Sequence, residues 1–132
     1  MESRVGIVLV SHSDRLAGGL RDLLAQLGSG AAPVAVAGGT DDGGIGTSHD
    51  LIRAAIAEAD QGAGVVVLPD IGSAVLTARL VLEDEPRADV VVVDAPFVEG
   101  AVAAVATANG GAALEAVVAA AREARTIPKF PS

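Results

Sequence analysis

The sequence predicts an α/β protein with an open sheet of about four parallel strands and helices on both faces, giving three layers. Four short runs of Val, Ile, Leu and Ala are too short for helices and are typical of strands. These runs are apolar at nearly every position, which indicates strands buried on both faces, as in parallel sheets. Segments with helical apolar spacing separate them, so the chain reads as consecutive βαβ units.

The strands are expected at residues 5–10, 32–37, 64–68 and 89–93. The first is the most uniformly apolar and ends abruptly in a Ser-His-Ser cluster at residues 11–13. The second carries Pro33 near its start, which predicts a position at the edge of the sheet.

The helices are expected at residues 14–27, 49–60, 73–82, 97–108 and 112–124, followed by an irregular tail at 126–132. Gly28 supplies a stop for the first helix. The leucines of that helix recur at helical spacing and are expected to share one side of it; they are Leu16, Leu20, Leu23, Leu24 and Leu27. A glycine-rich loop at 38–48 precedes the second helix, for which Thr47 or Ser48 is a good N-cap.

Composition and charge argue against several classes of function and of site. The 132 residues fit one domain, and the nine basic residues are scattered within a net charge of −8, so nucleic-acid binding is not expected. No run approaches the roughly 20 apolar residues of a membrane span, and no secretory signal is recognised at the start. The lack of cysteine excludes disulfides and thiolate metal sites and fits a cytoplasmic protein.

Polar residues follow the carboxyl ends of the strands, the edge of an open α/β sheet where ligands bind. The carboxyl ends of parallel strands share one edge, and adjacent first and third strands would bring His12 close to Asp70. A carboxylate bound to one imidazole nitrogen fixes the tautomer and leaves the other as a nucleophile. Gly72 and Ser73 open the following helix and offer donors to an anion. The arrangement suits a histidine that accepts a phosphoryl group.

Other polar features favour simpler interpretations. His49 reads as a solvated residue in the first turn of a helix, and Ser11 and Ser13 are equally suited to capping a helix. Asp41 and Asp42 lack a third ligand for Mg²⁺, so no metal site is predicted. The glycine-rich loop lacks a following Gly-Lys-Ser or Gly-Lys-Thr, and it follows the second strand, so it matches neither a P-loop nor a dinucleotide fingerprint.

The motifs together resemble a known family. Gly-Ile-Val-Leu-Val-Ser-His-Ser-Asp-Arg-Leu-Ala, Gly-Gly-Thr…Ile-Gly-Thr-Ser, Val-Leu-Pro-Asp-Ile-Gly-Ser-Ala and Val-Asp-Ala-Pro-Phe-Val-Glu-Gly-Ala stand in this order. They are similar to the mannose-type IIA family of the phosphotransferase system, and within it to the phosphotransfer subunits of phosphoenolpyruvate-dependent dihydroxyacetone kinases. The resemblance extends from about Val5 to Ala124.

The resemblance implies a phosphohistidine carrier. His12 would be phosphorylated, Asp70 would orient it, and the phosphate would be bound by Ser13, Gly39, Thr40, Gly72 and Ser73. The phosphocarrier protein HPr would supply phosphate drawn from phosphoenolpyruvate, and ADP on the nucleotide-binding subunit of the kinase would receive it. A homodimer without a tightly bound cofactor is also implied.

Two other functions remain open. The chain could be the IIA component of a mannose-type sugar transporter, or a non-enzymatic domain that binds an anion in the same crevice. A response-regulator receiver is disfavoured, because the first strand ends in Ser-His instead of an acidic Mg²⁺-binding pair and no lysine follows the fourth strand. The roles of Arg15, His49 and the loop at 38–48 are not assigned by the sequence.

Overall fold

The fold is an alternation of strands and helices, seen in a computed structural model that describes residues 2–44 and 46–131. The strands in this part of the chain are β1 (Gly6–Ser11), β2 (Val34–Gly38), β3 (Val65–Pro69) and β4 (Val90–Val92). The helices are α1 (Asp14–Leu27), α2 (His49–Ala59), α3 (Ser73–Asp84), α4 (Phe97–Asn109) and α5 (Leu114–Glu123). The predicted elements are all present, with ends displaced by a few residues.

The strands form one parallel sheet in the order β2-β1-β3-β4. The predicted edge position of β2 and the predicted contact between β1 and β3 are both confirmed. Ser11 pairs with Gly38 of β2, and Val10 pairs with Pro69 of β3. Three strands therefore end at the same level, and the residues that follow them share one edge of the sheet.

Two apolar clusters bury the two faces of the sheet. Successive strand side chains point to opposite faces, so Ile7 and Leu9 join α1, α4 and α5, while Val8 and Val10 join α2 and α3. All four side chains are fully buried. Burial of each side chain stabilises the folded chain by roughly 1.5–3 kcal/mol, because its apolar surface is removed from water. The predicted three-layer α/β architecture is confirmed.

The leucines of α1 are a correction to the sequence analysis. Leu20 and Leu24 are buried, but Leu16, Leu23 and Leu27 are 49%, 40% and 61% exposed. The buried residues of α1 are Ala17, Leu20 and Leu24, which follow one another at helical spacing. The buried face of α1 is therefore narrower than the five leucines suggest.

Within the described residues, no helix combines the length and apolar character required to cross a membrane.

Candidate functional site

His12 and Asp70 meet at the ends of the two central strands. The Asp70 N–H donates to Val10 O at 2.9 Å, which extends the β1–β3 ladder by one residue. This placement puts His12 Nδ1 2.9 Å from Asp70 Oδ1. The two residues that the sequence predicts to be neighbours are thus in direct contact, although 58 positions separate them in the chain.

The Asp70 carboxylate is held by donors at both oxygens. Oδ2 accepts from the Ser11 hydroxyl at 2.9 Å and from His12 N–H at 3.1 Å. Oδ1 accepts from Ile71 N–H at 2.6 Å as well as from the His12 ring. Burial acts to raise the pKa of the Asp70 carboxyl, but these hydrogen bonds outweigh it and hold the pKa below its ordinary value. Asp70 is therefore an anion at neutral pH.

The ionised Asp70 sets the tautomer of His12. A carboxylate can only accept, so Nδ1 carries the proton and donates it to Asp70. In the neutral ring Nε2 then holds the lone pair, and the Ser73 hydroxyl, 2.6 Å away, donates to it. The His12 side chain is 24% exposed, so Nε2 lies at the surface with its lone pair directed at the start of α3. The group is suited to act as a nucleophile toward a docked partner.

The start of α3 is the side of the site that is suited to an anion. Gly72 precedes the helix with φ 35° and ψ −102°, a backbone conformation that side-chain-bearing residues rarely adopt. The first N–H groups of a helix lack carbonyl partners within it and carry the positive end of its dipole. Gly72 and Ser73 therefore lie where a dianion bonded to Nε2 would be stabilised.

The two serines that flank His12 have different roles. Ser11 is fully buried, and its hydroxyl oxygen accepts from Ser13 N–H at 3.0 Å while donating to Asp70. The Ser13 hydroxyl accepts from Leu16 N–H at 3.3 Å and is the N-cap of α1, as the sequence allowed. The proton of the Ser13 hydroxyl remains available for an acceptor near His12.

The glycine-rich loop lies against the same edge. A Cβ on Gly38 would collide with the backbone of Asp14, so only glycine lets β2 pass the start of α1. Gly39 N–H donates to Ser11 O at 3.0 Å, and Thr40 N–H donates to Gly44 O at 3.1 Å. The Thr40 hydroxyl donates to Asp42. The donors of Gly39 and Thr40 are thus engaged within the protein and not directed at His12.

Several other candidate residues face solvent or bond to groups other than His12. His49 is half-buried and bonds through Nε2 to Asp84 at 2.9 Å, so it joins α2 to α3 and is not the solvated residue that its position suggested. Arg15 is exposed at the start of α1. Asp94 follows β4 and pairs with Arg125 at 3.3 Å. Asp41 accepts from Ser48 at the start of α2.

Two threonines near the site were missed by the sequence analysis. Thr47 and Thr77 hydroxyl oxygens are 2.9 Å apart, and Thr77 also donates to Ser73 O at 2.8 Å. Ser11 was considered only as a cap. Its place as the last residue of a fully buried strand was the available signal, because a buried hydroxyl requires a partner.

A cleft of about 660 Å³ opens beside Asp70, between α3 and the outer strand β4. It is lined by Pro69, Asp70, Val75, Arg79, Leu82, Glu83, Val92, Val93, Asp94 and Ala95. His12 is not among these residues, so the cleft meets the site at Asp70 and does not contain the nucleophile.

Within residues 2–44 and 46–131, no group of three or more His, Cys, Asp or Glu side chains is placed to hold a metal ion.

Comparison with known proteins identifies relatives over most of the chain. Residues 6–118 match the model of the family EIIA-man, described as the PTS system fructose IIA component. A crystal structure described as that of the unknown-function protein EF1359 superposes with a TM-score of 0.83 at 33% identity, covering 91% of this chain and 94% of that one.

Curated relatives carry more specific names. The PTS-dependent dihydroxyacetone kinase, phosphotransferase subunit DhaM, of Lactococcus lactis is 36% identical over 112 residues, covering 85% of this chain and 89% of the relative. A phosphoryl donor subunit DhaM of PEP-dependent dihydroxyacetone kinase 2 from Listeria innocua is 36% identical, covering 74% and 80%. The Escherichia coli DhaM is 39% identical over 120 residues, which make up 86% of this chain but 25% of that longer protein.

Proposed function

The chain belongs to the EIIA-man family of phosphotransferase-system IIA components, and from that membership we propose that it is a phosphohistidine carrier. In this proposal His12 accepts a phosphoryl group from HPr and passes it to ADP bound on the nucleotide-binding subunit of a dihydroxyacetone kinase. The observation that carries the proposal is the pair of contacts made by the His12 ring: Nδ1 lies 2.9 Å from Asp70 Oδ1, and Nε2 lies 2.6 Å from the Ser73 hydroxyl at the start of α3.

The proposed chemistry needs positioning and charge stabilisation, the main requirements of phosphoryl transfer. The Nε2 lone pair attacks phosphorus as the bond from phosphorus to the donor histidine breaks. In the second transfer a terminal phosphate oxygen of ADP attacks, and the P–Nε2 bond breaks with its electron pair returning to nitrogen. Asp70 stabilises the ring while Nε2 is bonded to phosphorus, because it holds the Nδ1 proton through both steps.

The phosphoryl oxygens would be bound on the α3 side of His12. Ser73 is the nearest donor: its hydroxyl donates to Nε2 at 2.6 Å and would turn to a phosphoryl oxygen when phosphorus takes the lone pair. Gly72 lies beside it at the helix start. Ser13 has a free hydroxyl proton. Gly39 and Thr40 would contribute only if the loop released donors that it now uses internally.

In this proposal the chain needs no tightly bound cofactor, since the group that it carries comes from phosphoenolpyruvate through HPr. A single domain acts as a homodimer in the cytoplasm, where these partners work. The relatives named as phosphoryl donor subunits support the assignment to dihydroxyacetone kinase. The family description as a fructose IIA component supports a second candidate, the IIA protein of a sugar transporter.

Labelling with phosphoenolpyruvate, enzyme I and HPr tests the carrier role. We expect one acid-labile, base-stable phosphate on the wild-type chain, none on His12→Ala, and wild-type labelling on His49→Ala, the matched control. An unlabelled wild-type chain, or label that survives in His12→Ala, would overturn the proposal. Adding the other kinase subunits, ADP and dihydroxyacetone should then discharge the label into dihydroxyacetone phosphate. Discharge only to a membrane sugar permease would favour the second candidate.

A further inference from the structure

We propose that Thr47 and Thr77 are positioning residues for phosphoryl transfer, because together they fix the turn of α3 that carries Ser73 beside His12 Nε2. The inference rests on the proposed carrier function of His12 and assigns a role to the end of the glycine-rich loop. The structural basis is a ring of short contacts that runs from His12 through the loop to α3 and back to His12.

The start of α3 lacks the side-chain cap that α1 and α2 possess. Ser13 caps α1, and Ser48 caps α2 by accepting from Leu51 N–H at 3.1 Å. Gly72, the residue at the corresponding position of α3, has no side chain to form such a bond. The backbone satisfies the first turn instead, since Ala74 N–H donates to Ile71 O at 2.9 Å and Val75 N–H donates to Gly72 O at 3.1 Å. Ser73 belongs to that turn, and the side chain of Thr77 is a further anchor for it.

Thr77 provides the anchor on the helix side. Its hydroxyl donates to Ser73 O at 2.8 Å, and a threonine hydroxyl has a single proton. The Thr77 oxygen must therefore accept in its 2.9 Å contact with Thr47, so that the Thr47 hydroxyl is the donor. The direction of this relay is fixed: Thr47 donates to Thr77, and Thr77 donates to the backbone of Ser73.

Thr47 is in turn tied to the backbone of the nucleophile. The preceding residue, Gly46, donates its N–H to His12 O at 3.0 Å. Two consecutive loop residues thus connect to the two partners of the His12–Ser73 hydrogen bond. Gly46 bonds directly to His12, and Thr47 reaches Ser73 through Thr77. The loop therefore links the backbone of the nucleophile to the backbone of the turn that carries Ser73.

Removal of the Thr77 hydroxyl should slow transfer without preventing folding. Thr77→Val keeps the branched shape, and Ser73 O still has the helical N–H of residue 77 within reach. Small displacements of a group that contacts the reacting atoms cost up to about 10²-fold in rate. We expect transfer from phosphorylated HPr to slow about five- to tenfold in kcat, with KM for HPr within about twofold. Thr47→Val should act in the same direction.

Thr107 provides a matched control. Its hydroxyl donates to Ala103 O at 2.8 Å, the same bond to the residue four positions earlier, but at the far end of α4. Thr107→Val should transfer phosphate at the wild-type rate, and Thr77→Ser, which restores the hydroxyl, should recover most of the rate. Equal rates for Thr77→Val and Thr107→Val, or failure of Thr77→Ser to recover, would overturn the inference.

Two further measurements separate positioning from a general structural effect. If Thr77 acts through Ser73, the double variant Ser73→Ala/Thr77→Val should be no slower than Ser73→Ala alone, whereas multiplied losses would contradict the relay. The ¹⁵N shift of His12 Nε2 in the unphosphorylated chain should change in Thr77→Val and not in Thr107→Val. Because this shift needs no donor, it tests the relay even if labelling shows that His12 is not phosphorylated.

Discussion

The hydroxyl of Ser11 donates to Asp70 Oδ2 at 2.9 Å, across 59 positions of the chain. Ser11 is the last residue of β1 and is fully buried, so this bond links the two central strands at the edge where His12 emerges. It orients the carboxylate so that Oδ1 faces the His12 ring. The direction of the His12 lone pair therefore depends on a fully buried residue of β1.

Ser11→Ala should weaken both folding and transfer. The change leaves Ser13 N–H without its acceptor and removes one donor from the buried carboxylate. We expect a loss of about 1–3 kcal/mol in the free energy of unfolding and a several-fold slower phosphorylation of His12. Ser29→Ala is the control, since Ser29 accepts from Ala31 N–H in a similar local bond but is exposed. Similar losses of stability in the two variants would contradict the role given to Ser11.

Asp70→Asn should slow phosphorylation of His12 more strongly. The amide retains the size of the carboxylate but removes the charge that holds the Nδ1 proton. A hydrogen bond to a charged group contributes about 1.5–3 kcal/mol, which corresponds to a fall of about 10- to 100-fold in the rate of labelling by phosphorylated HPr. Circular dichroism checks that the variant is folded. A folded Asp70→Asn chain that is labelled at the wild-type rate would show that Asp70 does not orient the nucleophile.

Asp70 should also make a measurable contribution to stability at neutral pH. Its pKa in the folded chain is below the ordinary value, so the carboxylate favours folding above the unfolded pKa of about 3.9. This contribution is lost as pH falls through 3.9 toward the lower folded pKa. The difference in unfolding free energy between wild type and Asp70→Asn should shrink as pH falls below about 4. Urea titrations that give a constant difference down to pH 2.5 would exclude a lowered pKa.

Gly38→Ala tests the close approach of β2 to the start of α1. The added Cβ would lie 2.9 Å from Asp14 N and against Asp14 Cα, where neither backbone can yield easily. Overpacking of this kind costs about 1–3 kcal/mol, and displacement of α1 should slow transfer at His12. Gly18→Ala is the matched change, because its Cβ meets open space within α1. We expect it to stabilise the helix by about 0.5–1 kcal/mol. Equal effects of the two substitutions on thermal unfolding would contradict this packing.

Much of the fold follows from apolar patterns in the sequence. The short valine-rich runs can be buried only in a sheet covered on both faces, and their alternation with helices makes the sheet parallel. The leucines of α1 mark the limit of this reasoning. Leu16, Leu23 and Leu27 share the helical pattern but remain exposed, because the width of the buried strip is set by the layer it packs against.

Some contacts at the site can be predicted from the sequence, whereas others depend on how distant segments pack together. The proximity of His12 and Asp70 follows from the ends of adjacent parallel strands, and the sequence predicts it. The Thr47–Thr77 contact depends on where a glycine-rich loop crosses the edge of the sheet. His49 likewise finds Asp84 only because α2 and α3 cover the same face. Such contacts leave no periodic signal in the sequence.

The nitrogen that becomes phosphorylated decides whether His12 is the proposed carrier. The chain labelled uniformly with ¹⁵N is incubated with phosphoenolpyruvate, enzyme I and HPr, and the phosphorus-bound nitrogen is identified by NMR. We expect a phosphoryl group on Nε2 of His12, with Nδ1 still protonated and bonded to Asp70. A phosphoryl group on Nδ1, on His49 or on no histidine would show that the proposed carrier role of His12 Nε2 is wrong.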